Sequence, residues 1–188
     1  MIKTIKDIID FIFDILETVV FVGSMFIVTY LFIITPNQVK GASMEPNFHT
    51  GDYILTSRIT YKFRRIERGD VIVLKSPKNP DIEYIKRVIG LPGETLMIKD
   101  GEVYINGNLI QENYIADKTN LWEGGCVKNG EPYKIKDDEV FVMGDNRPRS
   151  SDSREFCAIP ISSIVGQVFF QYFPKVRQII NPLPSAIR

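Results

Sequence analysis

TLMIKDGEVYINGNLI (95–110) is the stretch that decides the architecture. It carries Asp100-Gly101 and Asn106-Gly107 between short apolar runs. Such pairs suit two-residue hairpin turns, whose central positions need positive φ. The stretch therefore predicts a three-stranded meander. On its N-terminal side DYILTS (52–57), DVIVLKS (70–76) and YIKRVIG (84–90) are short, β-rich and bounded by Gly or Pro. On its C-terminal side EVFVMGDN (139–146) and SIVGQVFFQYF (163–173) supply two more strands. The segment 111–138 is polar, carries Gly124-Gly125 and Asn129-Gly130, and reads as a loop-rich insertion or lid. The sequence thus predicts a mainly β domain over 36–175. The meander and loop region form an insertion at about 95–138, and 176–188 is a short tail.

The N-terminus is different. TVVFVGSMFIVTYLFIIT (18–35) contains no charge. As a helix it reaches about 27 Å, close to the thickness of the bilayer hydrocarbon core. Before it, Asp7, Asp10, Asp14 and Glu17 recur at helical spacing opposite Ile8, Ile12, Ile15 and Leu16. This reads as an amphipathic lead-in followed by one membrane-spanning helix, together residues 1–35, ended by Pro36. A cleaved secretory signal has a shorter apolar run and a basic lead-in. Lys3 and Lys6 precede the run, while Lys40, Arg58 and Lys62 follow it. The charge rule therefore leaves the orientation open.

Composition narrows the function. The chain of 188 residues balances 23 Lys+Arg against 23 Asp+Glu, which argues against a nucleic-acid binder. With one His and two Cys it has too few ligands for the usual zinc or iron–sulfur sites. Asp145 and Asp152 lack a third nearby ligand of clear geometry, so no metal site is expected. Cys126 and Cys157 are either bridged or two separate thiols.

Three segments hold candidate chemistry. GASMEPNF (41–48) places Ser43 just beyond the apolar run. A serine needs a base to become a nucleophile. His49 is the one histidine, in a turn where a solvated ring is the ordinary reading. A lysine can serve instead if burial lowers its pKa. Lys75 ends its strand beside Ser76-Pro77, whereas Lys86 lies mid-strand between Ile85 and Val88. Alternation puts Tyr84, Lys86 and Val88 on one face and Ile85, Arg87 and Ile89 on the other, without saying which face is inside. The third segment, GDNRPRSSDSR (144–154), is dense in groups that can fix a lysine by hydrogen bond and brace a loop by ion pairing.

Together, the apolar run with GASMEP, RGDVIVLKSP (68–77), YIKRVIGLPGE (84–94) and GDNRPRSSDSR resemble the bacterial type I signal peptidases, over roughly residues 18–173. These are membrane-anchored Ser-Lys proteases, and the single-helix form is the one matched. The resemblance implies Ser43 as nucleophile and Lys86 as general base. It implies Ser150 as a hydroxyl orienting the lysine, Asp152 and Arg154 as a bracing ion pair, and Asp145 as a further support. Val39, Met44, Phe48, Tyr84 and Ile85 fall where the family builds shallow apolar pockets. Gly41 stands where some members have a serine completing the oxyanion hole, so the second donor is unassigned. Asn47 and Phe48 replace the usual Thr and Leu, and Phe48 is expected to narrow the pocket for the residue before the cut. Pro148 and Arg149 differ from the commoner pair at positions expected to be exposed, and Cys157 stands where Gly is common.

The resemblance further implies removal of signal peptides from secretory preproteins at small-x-small sites, through an acyl-enzyme and without a cofactor. The protein is expected to be a monomer in the cytoplasmic membrane, single-pass, with its catalytic domain on the extracytoplasmic side. The lipid bilayer is then a partner and nucleic acid is not. Two other readings compete. One is a non-catalytic membrane-tethered β module that binds extended peptides. The other is a self-cleaving repressor-type protease, which the bilayer-length apolar run disfavours.

Overall fold

The structure is a computed structural model that describes residues 2–180. It begins with α1 (Ile2–Phe32), one continuous helix of 31 residues. Its segment Ile5–Tyr30 has a mean hydropathy of 2.1, and none of it is covered by the rest of the protein. The separate amphipathic lead-in expected before residue 18 is therefore the first half of this same helix. The helix also stops earlier than Pro36. β1 (Ile34–Gln38) takes over and pairs antiparallel with β2 (Tyr53–Ser57), Ile34 opposite Ser57 and Pro36 opposite Leu55. The residue before a proline is pushed out of the helical region, which favours extended chain at Thr35. β1 is an edge strand, where a proline without N–H is tolerated.

The remaining elements are α2 (Thr60–Phe63), β3 (Val71–Lys75), β4 (Glu83–Gly90), β5 (Thr95–Lys99), β6 (Glu102–Ile105), β7 (Asn108–Leu109), β8 (Pro132–Lys134), β9 (Glu139–Met143), α3 (Ser153–Phe156), β10 (Ile159–Pro160), β11 (Ile164–Phe173) and β12 (Arg177–Gln178). One sheet runs β1-β2-β11-β3-β4-β9-β10, with β12 added on β11. A four-stranded sheet, β7-β6-β5-β8, holds the meander. Its turns have the expected conformation: φ is 53° and 83° at Asp100 and Gly101, and 50° and 82° at Asn106 and Gly107. β8 and β12 lie in segments that read as loop and tail. They are short additions to existing edges, with little alternation of their own.

Both faces of the central strands are covered. On β3, Val71 and Val73 join a cluster with Val39, Met44, Phe48 and Ile54, while Ile72 and Leu74 join Val88, Val140 and Val142 behind it. Double coverage explains the unbroken apolar run VIVL. It also explains β4, where Lys86 and Arg87 point to opposite faces yet both are buried. A third cluster, including Leu96, Ile98, Val103 and Phe141, joins the meander to the main sheet.

The 111–138 insertion packs down on this third cluster through Tyr114, Leu121 and Val127. It is fastened to the loop after β9. Arg147 bonds Glu112 at 2.9 Å, Arg154 bonds Asn120 Oδ1 at 2.7 Å, and Cys126 and Cys157 form a disulfide with Cα atoms 5.3 Å apart.

Candidate active site

Ser43 lies in the loop of residues 39–52 between β1 and β2, and its position is set by the loop after β9. Asn146 donates from its backbone N–H to the Ser43 carbonyl at 3.0 Å and from its side chain to the Ala42 carbonyl at 2.9 Å. The two segments touch at Gly144. A Cβ there would lie 2.3 Å from both the Ser43 carbonyl oxygen and Ser150 Oγ, so only glycine fits. The Asp152 carboxylate accepts from Gly144 N–H at 3.0 Å and pairs with Arg154 at 2.8 Å, both side chains fully buried.

Lys86 reaches Ser43 from β4. Its Nζ donates to Ser43 Oγ at 2.8 Å and to the Ile85 carbonyl at 3.0 Å. The side chain is 3% exposed. Burial pushes its pKa down to about 8, against the upward pull of the Asp152 and Asp145 charges and with help from Arg154. Moving an ammonium from 10.5 to about 8 corresponds to about 3 kcal/mol in favour of the neutral amine. Once neutral, the same nitrogen can accept the serine proton.

Each residue singled out from the sequence has a definite place. Asp145 forms a buried pair with Arg87 at 2.6 Å and accepts from the Asn47 side chain at 2.8 Å. It therefore ties β4 to the Ser43 turn. Ser150 reaches the site, but its buried Oγ has no hydrogen-bond partner, so the bond expected from it to Lys86 is not made. The ammonium is already committed to Ser43 and Ile85. Val39, Tyr84 and Ile85 line a groove of about 390 Å³ that also contains Ser43 and Lys86. Met44 and Phe48 do not line it. They are 0% and 1% exposed and pack behind Val39 and Ile85 as core. The expectation that Phe48 narrows this groove is thereby corrected, because its ring is taken up by the cluster of Met44, Ile54, Val71 and Val168. Gly41 N–H is engaged by Thr50 Oγ1 at 3.0 Å. His49 is exposed and lines a different cavity, with Lys175 and Arg177. Pro148 and Arg149 are exposed as expected.

The sequence reading missed Arg87, Asn47, Gly144 and Asn146 as positioning groups. Arg87 left one signal, a second cation beside Lys86 in an apolar strand. Asn47 and Asn146 left none, since their partners are backbone groups or residues distant in sequence.

A serine hydroxyl held against a buried lysine, next to a groove, is the arrangement of a hydrolase that works by acyl transfer with lysine as base. Comparison with known proteins agrees. A family described as "Signal peptidase, peptidase S26" matches residues 12–173, and the chain belongs to that family. It is similar to a probable signal peptidase I-2 of Synechocystis sp., 34% identical over 78% of this chain and 66% of the relative. It is also similar to a signal peptidase IB of Staphylococcus aureus, 32% identical over 86% of this chain and 91% of the relative. Among solved structures, a signal peptidase I from Enterococcus faecalis V583 is 33% identical, covering 55% of this chain and 97% of that one with a TM-score of 0.45.

Proposed function

We propose that this chain is a membrane-anchored serine endopeptidase that removes N-terminal signal peptides from secretory preproteins, with Ser43 as nucleophile and Lys86 as general base. The observation that carries the reading is the 2.8 Å contact between Lys86 Nζ and Ser43 Oγ in a buried setting, within a chain of the S26 family. The catalytic domain lies on the extracytoplasmic side, after a single span by α1. That side suits a disulfide, which persists in oxidising surroundings.

Neutral Lys86 takes the hydroxyl proton as Ser43 Oγ attacks the scissile carbonyl. The Ser43 N–H donates one hydrogen bond to the resulting oxyanion. The Lys86 ammonium then returns the proton to the leaving amine as the C–N bond breaks. The cleaved signal peptide remains as an ester on Ser43. Lys86 next removes a proton from water, whose oxygen attacks the ester, and Ser43 is regenerated as the signal peptide leaves with a carboxylate. The extended substrate lies in the groove beside Val39, Tyr84 and Ile85, with its small side chains next to the cut against these apolar walls. Asp152–Arg154 and Asp145–Arg87 hold the loop and strand that carry these groups.

The test is cleavage of a detergent-solubilised preprotein with an Ala-x-Ala site by the full chain and by Ser43→Ala. Cutting after the second Ala by the unaltered chain alone supports the reading. No cutting by either form, where another signal peptidase cuts the same substrate, favours a peptide-binding module. Equal cutting by both removes Ser43 as the nucleophile.

A further inference from the structure

The cations that left the orientation open in the sequence have a defined place in the fold. β1 runs away from the end of α1, and β2 runs back towards it, finishing at Ser57 opposite Ile34. Arg58 N–H then donates to the Ile33 carbonyl at 2.9 Å, one residue past the membrane helix. The Ser57 and Thr60 hydroxyls bond at 2.8 Å and close the turn into α2. Residues 58–65 therefore leave the sheet at the edge where the domain meets the bilayer.

That segment is cationic and open. Arg58, Lys62 and Arg65 are exposed, and Phe63 between the last two is 84% exposed. The nearby acids are spent on Arg64, with Asp70 at 3.0 Å and Glu67 at 3.1 Å. Lys62 and Arg65 form no salt bridge among the described residues. None of these residues lines the groove that holds Ser43, so substrate handling does not account for them. A full signal of positive charge with one exposed aromatic ring, at membrane level, fits a surface of phosphate headgroups. Beside it, a cavity of about 480 Å³ bounded by Tyr61, Arg65, Ile66, Leu91 and Ile161 offers mainly apolar walls next to a guanidinium, which suits the glycerol and first acyl carbons of a lipid.

We propose that Lys62, Phe63 and Arg65 form a docking surface for anionic phospholipid headgroups of the bilayer that α1 enters. The docking fixes the height and tilt of the domain on the membrane. It rests on the membrane anchoring by α1, not on the chemistry at Ser43, so either can fail without the other. A cation near an anionic membrane surface is worth about five-fold in such an equilibrium, hence about thirty-fold for the pair.

The experiment is backbone hydrogen exchange on the full chain in nanodiscs of phosphatidylcholine alone and of phosphatidylcholine with about 30% phosphatidylglycerol. The expected result is slower exchange over residues 59–65 in the anionic discs. That protection should vanish in 0.5 M salt and in Lys62→Gln/Arg65→Gln, and weaken in Phe63→Ala. Peptide cleavage in detergent should be unchanged in the double variant, showing that it is folded. Equal protection in both lipids, protection that survives the double substitution, or no protection in either disc would each overturn the proposal. So would equal protection in neutral discs on adding inorganic phosphate, since a free anion and not the bilayer would then be the ligand.

Discussion

Lowering the pH from 9 to 6 should switch the enzyme off through one group. With Lys86 at about 8, its neutral fraction is about 90% at pH 9 and about 1% at pH 6. If the neutral amine is the base, kcat/KM falls about ninety-fold along a limb of unit slope with its midpoint near 8. The assay is hydrolysis of a soluble peptide with a small-x-small site by the detergent-solubilised full chain, followed between pH 6 and 9.5. His49→Asn is the control. It should leave the limb in place, because His49 is exposed and lines a different cavity from Ser43. A profile flat across this range would refute the reasoning, and so would a limb that disappears in His49→Asn.

The same burial has a consequence for stability, and its sign differs from that of a salt-bridged lysine. The folded state holds the Lys86 proton less tightly than the unfolded chain does. Between about pH 8 and 10.5 the unfolded state therefore binds more protons, and stability rises with pH. Below 8 the cost is present in full, about 3 kcal/mol. Lys86→Met removes the group. Relative to this variant, the unaltered protein should gain stability as the pH climbs through 8, in denaturant titrations at fixed detergent. A difference between the two that stays constant from pH 7 to 10 would mean that Lys86 is not desolvated.

Four further variants test the site and its supports. Gly144→Ala should abolish cleavage, because its methyl group meets the Ser43 carbonyl and Ser150 at 2.3 Å; near-normal kcat would show that the two segments are not in contact. Phe48→Leu should lower stability by about 1 kcal/mol, as core truncations do, without widening the choice of residue before the cut in a peptide library. Cys126→Ser/Cys157→Ser should cost about 2–4 kcal/mol by opening the loop between them. Cys157 itself sits at φ 71° and ψ 179°, a conformation that favours glycine. Cys126→Ser/Cys157→Gly should therefore recover about 1–2 kcal/mol of that loss in thermal melts.

The parts legible in the sequence were those carried by local chemistry. Asn106-Gly107 requires positive φ wherever the chain goes, so the meander could be read from its turns. Acid–arginine pairing within 144–154 was readable from its composition, while the particular pair of Asp152 and Arg154 came from the family resemblance. The start of β1 was not, because Ile34 and Thr35 continue the apolar run and only the pairing with Ser57 and Thr56 makes them a strand. Phe48 was misplaced for a similar reason. Nearness to a nucleophile in sequence does not say which way a ring in a loop turns, and here it turns into the core beside Met44 and Ile54.

Lys86 is the instructive case. Alternation offered one face for Lys86 and the other for Arg87, and one of them had to be inside. The structure buries both, and they differ in what meets them. Arg87 finds the Asp145 carboxylate at 2.6 Å, which keeps its charge satisfied. Lys86 hydrogen-bonds a hydroxyl and a carbonyl, neither of which can neutralise an ammonium, and the Asp145 and Asp152 charges act on it without forming a salt bridge to it. The adjacent cations thus part company through their partners and not through their exposure. A paired arginine stays charged and braces the strand, while a lysine denied a carboxylate is left ready to lose its proton. A design that moved an acid to within 3 Å of Lys86 would keep it in place and stabilise the ammonium, and the same arithmetic that sets the limb near 8 would then carry it out of the physiological range.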